Sequence, residues 1–366
     1  MLTLLFLTFS ALSKAKGMII IMVKIISYSS VIPCANNHID LTKILKSQKD
    51  NKEQNHLILP YDLNQDYPGI NLCANVGYNA GRNALIENMT HQEYDSKEIG
   101  VYCGTTYGGF YEGQKRQCDA FIKYGPRGVT PSLSIYNGIH LTSDIFAIKH
   151  QIKGANLTNT TGYIASGAAL MQAFDDIEDK VLSDAIVIGS EQIDGLLLNI
   201  LKQRGRTDTD LYKTGAGALW LSNRDIESDA ETLFLKSVEI DSMSIKQWDE
   251  TSCSQIIIKT IKKALVSSGL TAKNIDCIIT CNNFSKEEEM GYGNALNQLF
   301  KEGVEKIEIV KILGHYMGAN SIIASVCASL LISQNNSNLK NIVVVATDPS
   351  GMCFACVIGK EGNDYL

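Results

Sequence analysis

Residues 154–167 read Gly-Ala-Asn-Leu-Thr-Asn-Thr-Thr-Gly-Tyr-Ile-Ala-Ser-Gly, and an amphipathic helix to about Ile177 and a buried strand, Ala185-Ile-Val-Ile-Gly189, follow them. A tight loop feeding a helix N-terminus is where a thiol is most reactive, because exposed N–H groups and the helix dipole favour the thiolate. Ile164 stands at that place instead. No cysteine occurs between Cys118 and Cys253, so a small change of register supplies none. A one-residue shift would bring Tyr163 there, which supplies no thiol either. Ser166 is close by, but its hydroxyl would need a neighbouring base, and serine at a helix start more often serves as a first-turn hydrogen-bonding residue.

Outward from this stretch, strands and helices alternate, which predicts a largely parallel sheet covered on both faces. The order strand, loop, helix, strand runs from Leu157 to Gly189 and again from Ile307 to Ala346, with the second helix beginning near Tyr316. That second helix sets Ile322, Ile323, Val326 and Leu330 among alanines and serines, a pattern suited to close burial. Ile342-Val-Val-Val-Ala346 reads as a fully buried strand. Between the copies, Ile257, Ile261, Ala264 and Leu265 share one helix face, and a strand over Ile275–Thr280 follows.

Among 366 residues, 45% are hydrophobic and 20% charged, enough for two core-forming halves. A net charge of −6 argues against a nucleic-acid partner. Ten cysteines form no paired metal motif. Cys353-Phe-Ala-Cys356 sits in strand context, where residues three apart point to opposite faces, so packing rather than metal or redox chemistry is expected. Reduced thiols indicate the cytoplasm, and no cofactor is expected. Leu2–Leu12 is apolar but too short for a membrane span, with Lys14 and Lys16 behind it, and it reads as an over-extended start before Met18 or Met22. The mixed-charge run Lys46–Gln54 reads as solvated, and Asn88, Asn156 and Asn159 head glycosylation-type triplets that arise often by chance. Neither Gly104-Thr-Thr-Tyr-Gly-Gly109 nor Gly215-Ala-Gly217 has nucleotide-binding spacing, and close packing accounts for these glycines.

Five ordered segments over residues 23–360 resemble the β-ketoacyl synthase family of the thiolase-like superfamily. Gly162–Gly167 occupies the place of the family's Thr-Ala-Cys-x-Ser-Gly. Ile99–Gly109 is similar to its strand and Gly-rich turn, and Gly125-Pro-Arg127 with Pro131 then leads without a gap to Gly154. Thr214–Leu221 is similar to its Gly-x-Gly-Ala-Gly strand, and Lys311-Ile-Leu-Gly-His-Tyr-Met-Gly-Ala319 to its Lys-Ser-x-x-Gly-His-x-x-Gly-Ala. The resemblance implies a thiolase-like α/β fold, with two duplicated βαβαβ-type halves in a layered α/β/α/β/α core. Residues 1–22 would be a leader, 23–229 the N-terminal half and 230–366 the C-terminal half, with the two loop-to-helix junctions facing one centre.

The resemblance also implies decarboxylative condensation by a cysteine and two histidines, and here the set is degenerate. The nucleophile position is Ile164, the first histidine position falls on Cys281 of Cys281-Asn-Asn-Phe-Ser285, and His315 alone survives. His315 is either a remnant donor to a thioester carbonyl or a buried histidine kept by a hydrogen bond. Lys311 lies one residue nearer to it than the family's lysine, and the family's closing Gly-Phe-Gly-Gly-x-Asn is reduced to Pro349-Ser-Gly-Met-Cys-Phe354.

Two functions follow as expectations. The first is a non-catalytic subunit similar to the chain-length factors of type II polyketide and aryl-polyene systems, a heterodimer partner of a catalytic ketosynthase working on an acyl carrier protein. Tyr163 and Ile164 would then wall the substrate tunnel, or simply fill the core. The second is an acyl-thioester enzyme with rewired Cys281/His315 chemistry. An acidic carrier protein would meet basic side chains, for which Lys202, Arg204 and Arg206, or Lys115, Arg116 and Arg127, are candidates, although such clusters are mostly solvated surface.

Overall fold

The computed structural model describes residues 22–32, 70–86, 95–135, 137–224, 232–244, 248–283, 285–300, 304–334 and 337–360. Residues 1–21 of the 1–22 leader, the Lys46–Gln54 run, Asn88, Phe284 and the 229/230 half boundary lie outside the described residues.

Among the described residues ten strands form one mixed sheet: β1 (Val23–Val31), β2 (Ile99–Gly104), β3 (Asn156–Asn159), β4 (Asp184–Glu191), β5 (Gly215–Ser222), β6 (Leu233–Ser242), β7 (Cys277–Cys281), β8 (Glu305–Glu308), β9 (Asn341–Asp348) and β10 (Met352–Lys360). Their order is β3-β2-β4-β5-β1-β6-β10-β9-β7-β8. Read inward from either end, this is the same sequence of strands twice. In each half the second strand pairs in parallel with the third and fourth, and the fourth, fifth and first pair antiparallel. A short antiparallel contact of Val23–Ile25 with Leu233–Leu235 joins the halves. The duplication read from sequence is therefore present, each half having five strands.

Alternation along the strands builds the layers, because successive side chains point to opposite faces. Ile342, Val344 and Ala346 of β9 join the central core, while Val343 and Val345 face an outer core with the Glu250–Ser267 and Lys286–Leu299 helices. On β4, Ala185 and Val187 face the centre, and Ile186 and Ile188 face the Leu72–Ile86 and Leu141–Lys149 helices. Cys356 and Cys353 fall on the two opposite faces of β10, as their spacing predicts. No group of metal-ligating side chains occurs among the described residues.

The central layer consists of the Ala165–Glu178 and Asn320–Ser333 helices, whose apolar residues pack with strands of both halves. The second is buried on every side from Asn320 to Ile332, as expected of a helix apolar all round. Burial of Ile322, Ile323, Val326 and Leu330 contributes about 1.5–3 kcal/mol each. Two of its serines turn their hydroxyls back onto the helix: Ser325 Oγ donates to Ser321 O at 2.8 Å and Ser329 Oγ to Ser325 O at 2.9 Å. This helix begins four residues later than the sequence suggests. Met317 has φ of 44°, and a 3₁₀ turn over Met317–Ala319 precedes Asn320.

Candidate functional site

Both central helices start from a 3₁₀ turn, Gly162–Ile164 in one half and Met317–Ala319 in the other, and the two junctions meet. Two close approaches fix the first. At Gly104 of β2 an added Cβ would lie 2.2 Å from Ser166 Cα, so strand and helix start are nearly in backbone contact. Gly162 has φ of 61°, and its Cβ would lie 2.1 Å from Asp348 Oδ2. Asp348, at the end of β9, takes the Tyr163 N–H at 2.7 Å and the Ser350 N–H at 2.8 Å. The elbow of one half is thus tied by the carboxylate of the other. Ser166 reaches across the junction as well, accepting the Ile322 N–H at 3.2 Å rather than capping its own first turn.

Glu191 closes the junction from behind. Fully buried at the end of β4, it accepts N–H groups from Thr106 (2.6 Å), Tyr107 (3.0 Å), Gly108 (2.9 Å) and Gly318 (3.2 Å) and the Thr105 hydroxyl (3.2 Å). Burial pushes its carboxyl up to about 7, while these donors favour the anion. The N–H groups that a phosphate would need at Gly104–Gly109 are therefore occupied by an internal carboxylate.

The two residues expected at the nucleophile position part company. Ile164 is 0% exposed and belongs to the central core, which also holds Leu170, Ile322 and Phe354. Tyr163, half-buried, turns its ring onto His315, edge-on at 5.2 Å between centroids. Tyr212 covers His315 at 4.9 Å, in a stretch whose backbone pairs with Gly314–His315.

His315 is fully buried and hydrogen-bonded at both ring nitrogens. The Met317 N–H donates to Nδ1 at 3.1 Å, which places the ring proton on Nε2, and Nε2 lies 2.9 Å from Asn283 Oδ1. Burial, and then the Arg206 guanidinium, hold its pKa down to about 3, so the imidazole is neutral. Asn283 is itself held: its N–H and its Nδ2 donate to Glu288 at 2.6 and 2.8 Å, and Nδ2 also donates to Thr347 O at 3.2 Å. Glu288, with no exposed surface, accepts the Trp248 indole N–H at 2.8 Å. Arg206 donates to Asp208, to the Tyr212 hydroxyl and to the Asn283 carbonyl, so it belongs to this network and not to a solvated basic cluster.

Cys281 ends β7 with its thiol 1% exposed and 3.8 Å from the Asn320 carbonyl. Burial raises its pKa far above the ordinary thiol value, so it keeps its proton. Lys311 points away from the junction into ion pairs with Glu289 and Glu308, each at 2.6 Å. Sequence reasoning singled out His315, Tyr163, Ile164 and Cys281 and took Arg206 for a carrier-protein contact, but it gave no role to Tyr212, Asn283, Glu288 or Asp348. Glu191 had a visible signal, an acid two residues beyond the apolar run Ala185–Gly189.

No family model and no curated protein sequence matches the chain. Solved structures match its fold over nearly the whole chain. The ishigamide ketosynthase/chain length factor has a TM-score of 0.75 at 16% identity, covering 93% of this chain and 100% of that one. A type II PKS acyl-carrier protein in complex with its ketosynthase bound to the hexaketide gives 0.76 at 16%, covering 92% and 99%. A ketosynthase in complex with its chain length factor from Xenorhabdus doucetiae gives 0.74 at 14%, covering 93% and 98%. The fold is thus the thiolase-like fold of these ketosynthase assemblies. No helix among the described residues is long and apolar enough to cross a membrane.

Proposed function

We propose that this chain is a ketosynthase-like, non-catalytic subunit of chain-length-factor type. It pairs with an active β-ketoacyl synthase in fatty-acid-like or polyketide chain extension on an acyl carrier protein, with aryl polyenes among the candidate products. One observation carries the reading: Ile164, a hydrocarbon side chain with no exposed surface, occupies the helix start where the nucleophile would have to stand. The surrounding groups support it, since His315 is neutral and its Nε2 is engaged by Asn283. The likeness to ketosynthase structures whose descriptions name a chain length factor or a carrier protein supports the partner assignment.

In this role the chain contributes shape. Tyr163, seated on His315 and tied through its N–H to Asp348, is the wall residue at the junction, while Ile164 fills the core behind it. The Cys281 thiol lies on the Asn320 carbonyl and stays protonated, which argues against the rewired Cys281/His315 pair as a second reading. Co-expression with candidate synthases and a carrier protein, followed by mass spectrometry of the carrier-bound product, tests the proposal. Product that needs both chains supports it, and product from this chain alone refutes it.

A further inference from the structure

We infer that the side-chain carbonyl of Asn283 is a built-in ligand of His315. It fills the place where the ring N–H would receive the carbonyl of an acyl thioester or amide, and so closes this centre to substrate from within. The inference rests on the proposed reading of the junction as a degenerate thioester centre, and it names the group that shuts it.

Hydrogen-bond directions carry the argument. The Met317 N–H on Nδ1 leaves the ring proton on Nε2, so the ring faces Asn283 as a donor. The Asn283 amide cannot be turned over, because its Nδ2 faces two acceptors, Glu288 Oε1 and Thr347 O. Its Oδ1 is therefore the atom at 2.9 Å from Nε2, a carbonyl oxygen on an N–H donor. A thioester would offer the same kind of acceptor, a carbonyl oxygen.

The amide is also anchored rather than resting there. Glu288 holds it by backbone and side chain, and is itself fixed by Trp248 and, through its own N–H, by the Ser285 hydroxyl at 3.1 Å. Tyr163 and Tyr212 pack against the imidazole. A substrate carbonyl would have to displace an amide held by several bonds in a buried site, where each bond given up costs more than in water.

The experiment follows the His315 ring proton by ¹H–¹⁵N spectroscopy, assigned with His315→Gln, in the full chain and in Asn283→Gly. The glycine variant lacks the equivalent of one acetamide molecule. Acetamide is expected to shift the ring resonance and raise the Tm of the variant in a dose-dependent way, and to leave the unaltered protein unchanged. A folded Asn283→Gly protein indifferent to acetamide overturns the inference. So does a simple acyl thioester that shifts the resonance in the unaltered protein. Should the glycine variant not fold, Asn283→Leu keeps the bulk and removes the carbonyl, and the ring proton must then lose its downfield position; an unchanged position overturns the inference. A thioester that reaches His315 without forming an adduct sinks this inference alone, whereas a covalent adduct sinks the non-catalytic reading whatever the ring does.

Discussion

The ring of Tyr163 meets that of His315 edge-on, at 5.2 Å between centroids and 75° between planes. Such pairs add about 0.5–1.5 kcal/mol beyond area burial. The Asp348 carboxylate fixes the Tyr163 backbone at 2.7 Å, and Gly162 before it leaves no room for a side chain. Residues of both halves therefore set where this ring stands, as the proposed wall role requires.

Truncation of that ring is the first test. Co-expressed with a synthase partner and carrier protein, Tyr163→Ala is expected to lengthen the carrier-bound product, read by mass spectrometry. Because Tyr163 is only half-buried, the stability cost should be about 2 kcal/mol, below the range for a fully buried aromatic. Unchanged product length would remove Tyr163 from the wall.

Glu191 should matter for stability and not through any basic partner. Its two oxygens accept four N–H groups and a hydroxyl. Glu191→Gln turns an NH₂ group toward some of those donors, and a loss of about 2–4 kcal/mol in denaturant unfolding is expected. A loss under 1 kcal/mol would mean the junction relaxes around the amide.

The pH dependence of stability isolates His315. Its pKa is about 3 in the folded protein against 6.5 ordinarily, so the unfolded chain binds more protons between these values. The contribution of the neutral ring is full above pH about 6.5 and is lost as pH falls toward about 3. Glu191, raised from 4.5 to about 7, slopes the opposite way between those values, but it is present in both proteins compared. The difference in unfolding free energy between the protein and His315→Gln should therefore shrink as pH drops through this window. A difference flat in pH would contradict the neutral assignment.

Thiol labelling separates Cys281 from an activated nucleophile. Among the described cysteines Cys118 is exposed and Cys281 buried. Native alkylation at neutral pH with peptide mass spectrometry should label Cys118 first and reach Cys281 only on unfolding. Prompt labelling of Cys281 would revive the rewired reading.

The layers were legible because their signal is local. Period-two alternation cannot sort Ile342-Val-Val-Val-Ala346 by residue type, yet a continuous apolar run already announces a strand buried on both faces, and β9 is one. The start of the Asn320–Ser333 helix was misplaced because a left-handed Met317 breaks the turn where nothing in the residue types requires it. The network around His315 was invisible for another reason. Asn283 lies 32 residues from His315, and Trp248 lies 40 from Glu288. Arg206 looked like surface charge beside Lys202 and Arg204, and only the fold turns it inward onto Tyr212 and Asn283.

Intact-mass measurement on the purified chain alone, incubated with acyl and malonyl thioesters, tests the account most directly. With Ile164 sealed in the core and Cys281 protonated, the mass is expected to stay that of the unmodified polypeptide. An acyl adduct mapped to any residue of this junction would contradict the account.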